Sequence, residues 1–109
     1  MLKPNKLGTD HFLSSSDLSK DEIFHIFELA LAFKKNDLEI NLKNKVLGLI
    51  FDKSSTRTRV SFQVAMSRLG GTTIDLNPST SQIGRGEPIK DTARVLSRYC
   101  DIVAIRTFN

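Results

Sequence analysis

Three hydroxyl and two guanidinium side chains stand within five residues near the middle of this chain. The hydroxyls belong to Ser55, Thr56 and Thr58, and the guanidiniums belong to Arg57 and Arg59. Hydroxyl groups and arginine forks bind phosphate groups, because both supply hydrogen-bond donors and arginine also supplies positive charge. The cluster therefore predicts a site for an anion of the size and charge of a phosphate.

The residues on either side of the cluster predict a strand before it and a helix after it. The apolar run from Val46 to Phe51 is typical of a strand that is buried on both faces. Apolar residues then recur at helical spacing from Phe62 to Leu69. A helix start has unpaired backbone N–H groups and the positive end of the helix dipole, which favour a bound anion. The alternative is an ordinary serine or threonine helix cap with solvated arginines, since these residues are preferred caps.

The other elements follow from capping and periodicity. Ser19 and Glu22 have the spacing of a capping box, and the glycines at 70 and 71 are typical of a helix end. The helical spacing of Phe24, Phe27 and Phe33 indicates core residues. The predicted elements are a helix over about Lys20–Lys35, a helix ending near Leu69, a strand over Thr72–Leu76, a helix after Pro88 with the apolar residues Ile89, Ala93, Leu96 and Cys100, and a strand over Asp101–Ile105.

Strand–helix–strand–helix–strand order predicts an α/β fold, with a parallel sheet and helices on both faces. Ligands of such sheets bind beyond the carboxyl ends of the strands. The Ser55 turn follows the first strand, a loop containing Gln82 follows the second, and Arg106 lies at the end of the third. Topology alone therefore predicts that these three groups converge on one edge of the sheet.

Three blocks of sequence resemble the aspartate and ornithine carbamoyltransferases. The block STRTR at 55–59, followed by Ser61 and Phe62, resembles the carbamoyl-phosphate signature of that family. The block QIGRGEPIKDTARVL at 82–96 resembles the ornithine branch, and YCDIVAIR at 99–106 resembles a strand that ends in an arginine. The blocks keep the order and spacing of the family, and the resemblance extends from about His11 to Arg106.

The resemblance implies a reaction and a set of site residues. The carbamoyl group of carbamoyl phosphate would pass to the side-chain amine of L-ornithine, giving L-citrulline and phosphate in arginine biosynthesis. Arg57 and Arg106 would be catalytic: Arg57 at the bridging oxygen, and Arg106 at the carbonyl together with Thr58. The residues that would bind carbamoyl phosphate are Ser55, Thr56, Arg57, Thr58, Gln82 and Arg106. Gln82 is expected to reach the site of a neighbouring subunit in the full-length protein, which would be a homotrimer or a multiple of trimers.

The resemblance also implies a domain assignment. Residues 1–109 would form a carbamoyl-phosphate-binding domain that is incomplete at its C-terminus. The family has a His-Pro motif just beyond position 109 and a second domain that binds the amino acid, so this chain alone is expected to be inactive. Arg59 keeps two interpretations, as a member of the anion site or as a structural partner of a carboxylate.

Three alternative functions are less consistent with the sequence than an ornithine carbamoyltransferase. The aspartate enzymes have a lysine in the loop, whereas positions 77–89 contain none and Gln82 fits the ornithine pattern. A non-catalytic phosphate- or nucleotide-binding module would give no reason for Arg106 and Gln82 to converge on the turn. A nucleic-acid-binding domain is suggested only by the net charge of +4, and with one tyrosine and no tryptophan a stacking surface for bases is poorly supported.

Composition narrows the class of protein. The apolar content of 39% and charged content of 26% are those of a soluble globular protein, and the cytoplasm is the expected location. No apolar run approaches the roughly 20 residues of a membrane helix, so no membrane partner is expected. His11 and His25 are isolated and Cys100 is alone on an apolar helix face, so we expect neither a metal nor another cofactor.

Overall fold

The computed structural model describes residues 4–38, 40–51, 55–76 and 89–106, without the side chains of residues 89, 90 and 92. The chain divides into two compact units, Met1–Ile40 and Asn41–Asn109. The first unit contains a short 3-10 helix, Ser15–Asp17, and helix α1, Lys20–Lys34. The second unit contains β1 (Val46–Phe51), α2 (Thr56–Arg68), β2 (Thr72–Asp75), α3 (Ile89–Tyr99) and β3 (Ile102–Arg106).

Helix α1 begins at the predicted capping box. The Ser19 hydroxyl accepts a hydrogen bond from the Glu22 N–H at 3.1 Å, and the Glu22 carboxylate accepts one from the Ser19 N–H at 2.8 Å. These two bonds satisfy backbone donors that a helix start would otherwise leave unpaired. The helix ends before Asn36, whose φ of 56° lies in the left-handed region. The predicted helix is therefore confirmed, with its end one residue earlier.

The interpretation of Phe24 and Phe27 as core residues is wrong. These residues are 53% and 58% exposed, and their rings meet edge to face with centroids 6.4 Å apart. Helical spacing shows which residues share a face of a helix, but it does not show whether another element covers that face. Phe33, the third member of the predicted set, is half-buried.

In the second unit, β1 lies between the other two strands, in the order β2-β1-β3, and both pairings are parallel. Val46 pairs with Thr72 on one side, and Phe51 pairs with Arg106 on the other. Helix α2 connects β1 to β2, and α3 lies between β2 and β3 in the chain. The predicted α/β fold with a parallel sheet is confirmed, and β2 ends at Asp75 rather than Leu76.

The core forms where α2 packs on one face of β1. Leu47, Leu49 and Phe51 alternate along the strand toward this face, and they are buried together with Met66 of α2. The Phe51 ring also meets Phe62 of α2 edge to face, with centroids 5.8 Å apart. A central strand that is buried on both sides explains the continuous apolar run in the sequence.

The opposite face of β1 meets the residue that follows α3. A Cβ on Gly48 would lie 2.9 Å from the Cys100 Sγ, so only glycine lets the cysteine approach this closely. Cys100 is half-buried. Burial raises the pKa of the Cys100 thiol, and the charge of Asp101 raises it further.

Helix α2 ends as its glycines predict. Gly70 has a φ of 87°, which glycine adopts without steric cost, and its N–H donates to the Ser67 carbonyl at 3.2 Å. The chain reverses direction at this position, so the following residues form β2 alongside β1. Among the helices that the structure describes, none has the length and apolar character needed to cross a membrane.

Candidate functional site

The carboxyl ends of β1 and β3 meet at the start of α2. Arg106, the last residue of β3, pairs in register with Phe51, the last residue of β1. The Arg106 Nη1 donates a hydrogen bond to the Thr58 Oγ1 in the first turn of α2, at 3.2 Å. These residues are 48 positions apart in the chain. The predicted convergence of Arg106 with the Ser55 turn is therefore confirmed.

Ser55 precedes α2 as its N-cap residue, and it is only 1% exposed. Its side chain does not make the capping hydrogen bond, in contrast to Ser19 at the start of α1. At Ser55, the side-chain cap of the alternative interpretation is therefore not formed. Thr56 and Arg57 are exposed, whereas Thr58 is half-buried. A ligand from solvent can thus reach the start of α2 at Thr56 and Arg57.

The charges of the first turn of α2 are the reverse of those at the other described helix starts. α1 has Asp21 and Glu22 in its first turn, and α3 has Asp91. α2 has no acidic residue there, and Arg57 and Arg59 lie in or next to that turn. Cations at the positive end of a helix dipole are unfavourable, usually by about 0.3–1 kcal/mol each. A bound anion would remove this repulsion and would use the backbone N–H groups of the turn.

Arg59 points toward the neighbouring strand. Its Nε lies 3.6 Å from the Asp75 Oδ2, and the two side chains are 22% and 35% exposed. Of the two interpretations of Arg59, the structural partner of a carboxylate is confirmed, although the pair is half-buried rather than buried. Sequence reasoning missed Asp75, yet its place at the end of a predicted strand put it at the same edge of the sheet.

Gln82 lies outside the described residues, so its place beside the turn stays a prediction. In the described part of the chain, no group of three or more His, Cys, Asp or Glu side chains could hold a metal ion. His25 accepts a hydrogen bond from the Asn5 N–H at 3.0 Å, through its Nε2. The chemistry of this edge therefore rests on hydroxyl, guanidinium and backbone N–H donors.

Comparison with known proteins identifies relatives along almost all of the sequence. A family model described as aspartate/ornithine carbamoyltransferase, carbamoyl-P binding domain, matches residues 10–109. An ornithine carbamoyltransferase of Prochlorococcus marinus (strain MED4) is 77% identical over all 109 residues, which are 35% of its own length. The chain spans about a third of the length of the curated relatives it matches.

Solved structures agree with the sequence comparison. The anabolic ornithine carbamoyltransferase of Campylobacter jejuni is 42% identical, with a TM-score of 0.82, over 91% of this chain and 32% of its own. Aspartate transcarbamoylase of Trypanosoma cruzi, in complex with N-(phosphonacetyl)-L-aspartic acid, is 32% identical with a TM-score of 0.74, over 86% of this chain and 32% of its own. Because the family model matches residues 10–109, this chain belongs to the aspartate/ornithine carbamoyltransferase family.

Proposed function

We propose that this chain is the carbamoyl-phosphate-binding part of an ornithine carbamoyltransferase. The whole enzyme would transfer the carbamoyl group of carbamoyl phosphate to the side-chain amine of L-ornithine, giving L-citrulline and phosphate in arginine biosynthesis. The observation that carries the proposal is the hydrogen bond from Arg106 to Thr58 at a helix start that has no acidic residue. The names of the relatives support the choice of ornithine.

In the proposed site the phosphate group lies at the start of α2. The groups that would hold it are the hydroxyls of Ser55, Thr56 and Thr58, the Arg57 guanidinium, and the backbone N–H groups of the turn. Arg57 is exposed at this helix start, and we assign it to the oxygen that joins the phosphate to the carbonyl carbon. Negative charge grows on that oxygen as the bond to carbon breaks, so a fixed guanidinium stabilises the leaving group.

Thr58 and Arg106 are assigned to the carbonyl oxygen. The ornithine amine would attack the carbonyl carbon, and that oxygen would become an oxyanion in a tetrahedral intermediate. Because the Thr58 hydroxyl oxygen already accepts a hydrogen bond from Arg106, its own proton is left to donate to a ligand. Arg106 has further N–H donors for the same oxygen. The intermediate would then collapse as the bond from the carbonyl carbon to the phosphate oxygen breaks, and the extra proton of the attacking nitrogen would pass to the departing phosphate.

This chemistry needs no cofactor, because phosphate is already a good leaving group and the reaction is neither oxidation nor reduction. Catalysis would come from positioning and from charge stabilisation. Carbamoyl phosphate and L-ornithine are therefore the proposed ligands, with no nucleic-acid or membrane partner, and we place the enzyme in the cytoplasm. The absence of lysine at positions 77–89 favours ornithine over aspartate as the acceptor.

A chimeric enzyme tests the proposal. This chain would replace the matching N-terminal part of the Prochlorococcus marinus ornithine carbamoyltransferase, to which it is 77% identical. We expect the chimera to form citrulline from carbamoyl phosphate and ornithine, and we expect Arg57→Ala to lower kcat/KM by at least about tenfold. Arg68→Ala removes the same charge from the other end of α2 and should leave the rate unchanged. A folded chimera that forms no citrulline would contradict the proposal.

We further propose a homotrimer in which Gln82 binds the ligand of a neighbouring subunit. Support comes from the sequence block at 82–96, which resembles the ornithine branch. Mixing Gln82→Ala and Arg57→Ala chimeras would create hybrid trimers with some intact sites, so part of the activity should return. Hybrids that are verified by mass spectrometry but regain no activity would contradict the shared site.

A further inference from the structure

The first turn of α2 contacts both strands that flank β1. On one side Thr58 accepts the hydrogen bond from Arg106 of β3. On the other side the next residue, Arg59, pairs with Asp75 of β2. Because β1 lies between β2 and β3, these contacts join the start of α2 to both neighbours of the strand that precedes it.

The two contacts lie at different positions along the strands. Arg106 is in register with Phe51, whereas Asp75 is in register with Leu49, two residues earlier on β1. Two attachments that lie at different positions along the strands, and on opposite sides of β1, restrict both the position of a helical turn and its rotation. One attachment alone would restrain the turn less. The Arg59–Asp75 pair therefore completes a constraint that the Thr58–Arg106 bond begins.

The surroundings of the pair favour a lasting contact. The Arg59 side chain is 22% exposed and the Asp75 side chain is 35% exposed. The other ion pair of the described residues, Lys45–Asp101, spans 3.8 Å with side chains that are 59% and 46% exposed. Solvent screens partly buried pairs less than exposed pairs, so the Arg59–Asp75 pair is the stronger of the two.

We propose that Arg59 is a positioning residue of the anion site, which acts through Asp75 and does not itself bind the ligand. By fixing the first turn of α2, the pair would hold Arg57 and Thr58 in the geometry that binds phosphate. This inference rests on the proposed function, and it adds Arg59 and Asp75 to the residues that determine affinity. Small errors in the placement of such groups weaken binding strongly, because charge-assisted hydrogen bonds depend on distance and angle.

A direct role for Arg59 makes the opposite prediction for Asp75. If the Arg59 guanidinium contacted the anion, the Asp75 carboxylate would compete with the ligand for it. Asp75→Asn would then release positive charge to the ligand and tighten binding. In the positioning role, Asp75→Asn loosens the turn and weakens binding, just as Arg59→Gln does.

The test is the affinity of the chimeric enzyme for inorganic phosphate and for carbamoyl phosphate, measured by isothermal titration calorimetry at constant ionic strength and well below the melting temperature. We expect Arg59→Gln and Asp75→Asn each to weaken binding by about fivefold, and the double variant to be no weaker than either one. Arg59→Lys should keep most of the affinity, since the observed contact is through one nitrogen. Lys45→Gln is the matched control, because it breaks an ion pair at the amino end of the same sheet.

Each outcome separates this inference from the proposed function. Tighter binding by Asp75→Asn would overturn the positioning role and assign Arg59 to the ligand. Variants with lower melting temperatures but unchanged affinity would give the pair a role in stability alone, and would also overturn it. An unmodified chimera that folds but binds neither ligand would overturn the proposed function, and the positioning role with it.

Discussion

Arg106 donates a hydrogen bond to Thr58 across 48 residues, from the end of β3 to the first turn of α2. The parallel register of β1 and β3 makes this contact available, because it sets Arg106 opposite the last residue of the central strand. A side chain that polarises a ligand must itself be held in place. Here the same bond holds the arginine and directs the threonine hydroxyl.

Removing the Thr58 hydroxyl should weaken anion binding. Thr58→Val keeps the branched shape but loses both the acceptor for Arg106 and the donor for a ligand. A hydrogen bond to a charged group contributes about 1.5–3 kcal/mol, so affinity for carbamoyl phosphate should fall by at least about tenfold. Titration of the variant measures this loss.

Two comparisons make the Thr58 result specific. In the Thr58→Val background, Arg106→Gln should cost less than it costs alone, because the two residues act together. Thr72→Val, at the amino end of β2, should leave affinity unchanged. Fully additive losses for Thr58→Val and Arg106→Gln would contradict a joint role.

Arg57→Ala should abolish most phosphate affinity while leaving the fold intact. Arg57 is exposed at the positive end of α2, so its removal relieves repulsion in the free protein and removes a ligand contact. We expect an unchanged or slightly higher melting temperature together with an affinity at least about tenfold lower. Arg68→Ala, in the last turn of the same helix, is the matched control. A melting temperature that falls along with the affinity would indicate a structural arginine instead.

Gly48→Ala should destabilise the second unit. The added Cβ would lie 2.9 Å from the Cys100 Sγ, and overpacking of this kind costs about 1–3 kcal/mol. Urea unfolding measures the loss. Cys100→Ala removes the clashing sulfur and should restore part of the stability in the double variant. Gly8→Ala, whose Cβ would find its nearest neighbour at 3.8 Å, is the control for an added methyl group.

Helix α1 should lose stability in acid through Glu22. Backbone N–H groups of Ser19 and Gly8 donate to its carboxylate, and they lower the pKa of Glu22 below its ordinary value. A carboxyl whose pKa is lower in the folded state stabilises that state above its unfolded pKa of about 4.3, and this stabilisation is lost as the pH falls below it. Helicity should therefore decrease as the pH falls through this value and below it.

The Glu22→Gln variant isolates this contribution. Its amide oxygen still accepts hydrogen bonds but cannot be protonated in this range, so part of the acid loss of helicity should disappear. Glu28→Gln removes the same charge from an exposed position on α1 and should retain the full loss. Identical pH profiles for Glu22→Gln and the unmodified chain, followed by circular dichroism, would contradict the assignment to Glu22.

The features that the sequence predicts well are those that local chemistry determines. The capping box at Ser19, the apolar run at Val46–Phe51 and the left-handed Gly70 each specify their own backbone geometry. Parallel topology then follows from the order of the elements, and it predicts that Arg106 and the Ser55 turn meet at one edge. The contact of Arg106 with Thr58 forms because both residues lie at that edge of the sheet.

Features that depend on distant surfaces are predicted less well. The burial of Phe24 and Phe27 depends on what covers α1, which the helical period does not contain. The partner of Arg59 depends on which carboxylate the sheet brings within reach, and Asp75 is recognised only once β2 is known to end there. The position of Gln82 stays a prediction for the same reason, since a loop takes its geometry from its surroundings.

An NMR titration of the ¹⁵N-labelled chain with carbamoyl phosphate tests the central claim most directly. The claim is that the anion site lies where β1 and β3 end and α2 begins. We predict that the largest shifts occur at the backbone amides of residues 55–58 and at the Arg106 side chain, with saturation, and that Arg57→Ala removes them. Arg94 and Arg98 of α3 provide the internal control for non-specific binding of an anion to arginine. Shifts that are as large at α3 as at the start of α2, or a titration that leaves residues 55–58 and Arg106 unchanged, would contradict the claim.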